Sequence, residues 1–181
     1  MSYDDLGECP WSMNWNYDGS LLGATTKGKK MHILDPRKQG SAMVAPCHEG
    51  SKSQRLTWIG NSEQILTQGW SAYMERQYAV WDPRDLTKPL TLKKLDNNNQ
   101  QANLHYDDDT KTVFILNKGH PQAQMFFMHK TGGDNGTPTL QLIDSYKGED
   151  NAQGWYFLPK RNVDFMSNEL NRALRHNGKI I

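Results

Sequence analysis

Apolar and aromatic residues along this chain gather in short runs, and Gly, Asn, Asp or Pro stands between them. That punctuation predicts strands joined by tight turns. The runs also recur in a fixed order. "WSMNWN", "LLGATT", "MHILD" and "AMVAPC" follow one another, with Asp18-Gly19 and "KGK" in the gaps. "RLTWIG", "QILTQG", "QYAVWD" and "PLTLKKL" repeat that order, as do "ANLHYD", "TVFILNK", "AQMFFMH" and "TLQLID". A fourth unit opens with "GWYFLP" and becomes irregular after Pro159.

The repeat has a period of 47 residues. Its marked runs close at Asp35, Asp82, His129 and His176, and Asp-Pro-Arg stands at the first two closures. Four strands in about 40–50 residues make one propeller blade. The expected fold is therefore all-β: a partial propeller of about three and a half to four blades, near residues 11–47, 55–95, 102–144 and 152–181.

One stretch offers a competing chemistry. Gly23–Lys30 reads "GATTKGKK", one letter from the phosphate loop G-x-x-x-x-G-K-[ST]. In that loop the final hydroxyl binds Mg²⁺ and the glycines open a helix. Here the last residue is Lys30, and Pro36 leaves no room for a helix. The stretch is expected to be a hairpin, with Gly28 supplying a positive φ.

Composition narrows the rest. With 181 residues the chain suits one domain, and a net charge of +1 gives no pull toward nucleic acid or a membrane surface. A mean hydropathy of -0.82 beside 6 Trp, 7 Tyr and 5 Phe describes a folded domain with a polar surface. Cys9 and Cys47 are too few for a disulfide framework and lack zinc spacing. The opening "MSYDDLGECP" does not read as a signal peptide, and no apolar run reaches the ~20 residues of a membrane span. Asp107, Asp108 and Asp109 do not fit a calcium loop, so they are expected to form a solvated turn. His32, His105, His120, His129 and His176 show no ligand spacing and are expected mostly at the surface or half-buried. Adjacent Cys47 and His48 point apart on a strand, which argues against a nucleophile pair. The sequence thus predicts no enzyme and no cofactor.

Trp81-Asp82 closes its run as the Trp-Asp dipeptide closes a WD-type blade. His48 lies upstream where such a blade carries a histidine. His48, Thr67, Trp81 and Asp82 are the expected structural set. Within it His48, Thr67 and the Trp81 indole form a buried hydrogen-bond chain, with Glu75 available for the vacant fourth place.

At this point the sequence resembles the coronins, WD-repeat proteins of the actin cytoskeleton. The resemblance rests on "GSLLGATTKGKKMHILDPR", "HEGSKSQRLTWIG" and "ILTQGWSAYMERQYAVWDPRDLTKPL", with "YDDDTKTVFILNKG" and "GWYFLPKRNVDFMSNEL" in the later units. It implies a WD40 β-propeller of seven blades, of which this chain covers roughly the second half. It also implies a non-enzymatic scaffold that binds actin filaments in the cytoplasm and works with other actin-regulatory proteins. The alternative is a generic WD40 scaffold for a peptide or a phosphoinositide. Loops joining second to third strands share a face with those joining blades. Lys27, Lys29, Lys30, Lys52, Arg76 and Lys118 fall there and are the expected partner-binding set. A partial ring leaves blade edges open, so self-association is also expected.

Overall fold

The computed structural model describes residues 6–38 and 41–178. The first five residues of the opening segment, residues 39–40 of the first expected blade and the last three residues of the fourth lie outside them.

Turn residues divide the chain as expected. The strands are β1 (Pro10–Trp15), β2 (Leu22–Thr26), β3 (Lys30–Leu34), β4 (Ser41–Pro46), β5 (Arg55–Trp58), β6 (Ile65–Trp70), β7 (Arg76–Trp81), β8 (Thr91–Asp96), β9 (Ala102–Asp107), β10 (Thr112–Asn117), β11 (His120–His129), β12 (Thr139–Ala152), β13 (Gly154–Phe157) and β14 (Ala173–His176). Among the described residues there is no α-helix, only short 3-10 turns such as Gly60–Ser62 and Phe165–Ser167. The strands form three four-stranded antiparallel meanders in chain order, β1–β4, β5–β8 and β9–β12, and a two-stranded sheet, β13–β14.

The sheets stack face to face. Met31, Ile33 and Ala45 of the first pack on Leu56, Trp58, Ile65, Ala79 and Trp81 of the second. Leu66, Tyr78 and Val80 turn to the other side, against Val113, Ile115, Phe126 and Met128 of the third. Alternation along β6 therefore serves two cores, and all six of its residues are buried. At about 25 cal/mol per Å² of apolar surface, such double burial stabilises more than one-sided packing. Trp indoles tie neighbours together: Trp58 Nε1 donates to the Asn14 carbonyl at 2.9 Å, and Trp155 Nε1 to that of Asn117 at 3.0 Å.

Two expectations change. The fourth mark of the repeat, His176, closes β14, which pairs directly with β13 as a second strand. In the other sheets the marked strand is the third. The long 158–172 connection, with its two 3-10 turns, takes up the length that a second strand uses elsewhere. The β2–β3 hairpin forms, but its positive φ belongs to Lys29 (62°) and not to Gly28. A Cβ at Gly28 would meet the Glu8 carboxylate. No helix follows, so the phosphate-loop geometry is absent from this stretch.

Candidate functional site

Gly69 of β6 opens the first polar cluster. A Cβ there would collide with the His48 ring, so the missing side chain makes the slot for the imidazole. His48 Nε2 lies 2.9 Å from Thr67 Oγ1, and Trp81 Nε1 donates to the same oxygen at 2.9 Å. Gln77 Nε2 sits 3.0 Å from His48 Nδ1, so the amide donates there and Nε2 carries the ring proton. Burial pushes the His48 pKa down to about 4, keeping the ring neutral, and pushes the Cys47 thiol up to about 12.

Two expected members lie elsewhere. Asp82 accepts from the Arg84 backbone N–H at 3.0 Å and from its guanidinium at 2.9 and 2.7 Å. Asp35 holds Arg37 in the same way, so both Asp-Pro-Arg copies are self-locking turns. Glu75 is exposed and pairs with Lys94 at 2.7 Å. Gln77 takes the fourth place because β6–β7 pairing sets it opposite Gly69. The glycine inside a strand was the available signal for that close approach.

The basic set divides. Arg76 is fully buried and reaches no partner outside the protein. Its guanidinium grips both carboxylate oxygens of Asp96 and donates to Asn117 Oδ1 and Gln124 Oε1. It therefore joins the second and third sheets, and an arginine at the head of a strand gave no warning of this. Lys27, Lys29, Lys30, Lys52 and Lys118 lie at the one sheet end that carries the β2–β3, β4–β5, β8–β9 and β10–β11 connections. None is ion-paired among the described residues. Lys29 and Lys30 border a groove of about 460 Å³ beside Val44, Pro46 and Glu49. Lys52 and Lys118 border a separate cleft of about 420 Å³.

At the opposite end, Asp107 is not solvated as expected but buried, at 5% exposure. Burial opposes its charge. Hydrogen bonds from Lys160 (2.8 Å), Thr110 (2.6 Å) and Asn171 (2.9 Å) overcome that and hold its pKa at about 2. His32 is buried as well, and His105 stacks on Phe157 with ring centres 4.1 Å apart.

No family model matches the chain. Coronin-like protein crn1 of Schizosaccharomyces pombe is 31% identical over 165 residues, 91% of this chain and 26% of that protein. Coronin-2A of Homo sapiens is 29% identical over 161 residues, 89% of this chain and 30% of that protein. The crystal structure of the WD40 domain from Toxoplasma gondii coronin superposes with a TM-score of 0.86 at 30% identity, covering 94% of this chain and 43% of that one. The chain is similar to a WD40 segment of the coronins. It spans under a third of the length of these curated relatives. A chain in the crystal structure of a mitotic checkpoint complex shares the architecture alone, with a TM-score of 0.59 at 12% identity over 80% of this chain and 43% of that one. The present chain's three four-stranded sheets and one two-stranded sheet make a partial propeller. Among its described residues no helix is long and apolar enough to cross a membrane.

Proposed function

We infer that this coronin-type WD40 scaffold is a non-enzymatic module that docks on actin filaments through its basic sheet end. In this reading it acts in the cytoplasm, at the actin cytoskeleton, beside other actin-regulatory proteins. The observation that carries the reading is the placement of Lys27, Lys29, Lys30, Lys52 and Lys118 at one end, without carboxylate partners among the described residues. Ammonium groups without carboxylate partners present a positive field at this end. Such a field steers an acidic surface toward the module and raises the on-rate. The coronin likeness supports actin as that acidic partner. Arg76 has no part in this surface, since burial removes it from contact.

Cosedimentation with actin filaments tests the proposal. The triple variant Lys27→Glu, Lys29→Glu, Lys30→Glu is expected to bind several-fold more weakly and with a flatter salt dependence. Unchanged binding would remove these lysines from the interface.

A further inference from the structure

We propose that the cleft between Lys52 and Lys118 is a binding site for a phosphate ester. Segments far apart in the chain converge on it: the β4–β5 and β8–β9 connections and the β10–β11 and β12–β13 turns. Its walls carry two ammonium groups and the carboxamides of Asn99, Gln100, Gln101 and Gln153, with no carboxylate. A cleft of about 420 Å³ walled by donors is matched to a group that offers several acceptor oxygens and negative charge.

The Lys52 ammonium is set in place by uncharged partners, and Lys118 by its backbone. The Gly50 N–H donates to the Trp70 carbonyl at 2.7 Å, which fixes the β4–β5 connection against β6. A Cβ at Gly50 would strike Trp70, so only glycine permits that contact. Lys52 Nζ then lies 5.4 Å from the centre of the Trp70 ring and donates to the Asn99 carbonyl at 2.8 Å. Neither partner cancels its charge. Lys118 stands across the cleft, braced by its own N–H to the Gln101 carbonyl at 2.8 Å and by Gly119 N–H to that of Ala152 at 2.7 Å. The groove beside Lys29 and Lys30 lacks these properties: Glu49 and an apolar wall of Val44, Ala45 and Pro46 line it. A phosphate ester seated between Lys52 and Lys118 therefore meets two cations without carboxylate partners, one of them already fixed in place.

Isothermal titration of the folded chain with inositol hexakisphosphate and with inorganic phosphate tests the site. Vesicles containing phosphatidylinositol 4,5-bisphosphate form a second arm. Saturable binding of the hexakisphosphate is expected. Its affinity should fall about tenfold in Lys118→Gln and in Lys52→Gln, and by less than about twofold in Lys27→Gln, Lys29→Gln, Lys30→Gln. Vesicle binding with the same dependence on variants assigns the ester to a lipid headgroup; binding of the soluble probe alone assigns it to a free phosphate ester. Lys118 is exposed, so its variant reports on binding even where Lys52→Gln disturbs the fold. Absence of binding in both arms overturns the proposal, and so does full affinity in Lys118→Gln.

Discussion

A neutral His48 ties the acid stability of the fold to one buried ring. Its ring lies between Gln77 and Thr67, and burial holds its pKa near 4 against an ordinary 6.5. The unfolded chain therefore takes up the proton first as the solution is acidified. Above pH 6.5 the group is neutral in both states and contributes no pH dependence. Between 6.5 and about 4 it destabilises the fold progressively, by about 3 kcal/mol in total. His32 and His105 are lowered by burial and act in the same sense. Denaturant unfolding across this window should thus show stability falling with pH, and His48→Asn should remove the largest part of the slope. An unaltered slope in the variant would show that His48 is not the titrating group. The histidine and its Thr67 and Trp81 partners were readable from the WD pattern. Gln77 was not, because its role depends on which residue β6 sets opposite Gly69.

Between elements, the guanidinium of Arg76 is a buried polar link from the second sheet to the third, beside the Tyr78 hydroxyl on Thr139. Nε and both terminal nitrogens are committed, to Asp96 on β8, Asn117 on β10 and Gln124 on β11. A lysine there offers one nitrogen and cannot reproduce the fork. Arg76→Lys is expected to lower stability by about 3 kcal/mol in denaturant unfolding, leaving Asp96 without its bidentate partner. Exposed Lys118→Ala should stay within about 0.5 kcal/mol of the parent. Equal losses in the two variants would refute the interlock. The strands themselves were legible, since turn residues such as Asp18-Gly19, Asn61-Ser62 and Asp108-Asp109 stand between apolar runs. The placement of β14 was not: its spacing matches a third strand, and only pairing with β13 makes it a second.

For the whole molecule, stacking leaves outer faces without partners. Met13, Trp15 and Val44 are exposed on the first sheet, and Tyr156 and Leu174 on the two-stranded one. The second sheet, covered on both sides, shows what such faces bury when a neighbour is present. Exposed apolar faces and free strand edges favour association. Size-exclusion chromatography with light scattering is expected to report species larger than 20.7 kDa, growing with concentration. A sharp monomer peak across the range would count against this.

The order of turns and apolar runs, the repeat and the coronin likeness were all determined by the sequence alone. Local turn chemistry and side-chain alternation specify strands without knowledge of their neighbours. Tertiary structure alone decided which charges remain outside. Arg76 and Lys118 look alike along the chain, yet one is sealed between sheets and the other stands in water. Burial is set by which surfaces meet, and those surfaces come from residues tens of positions apart.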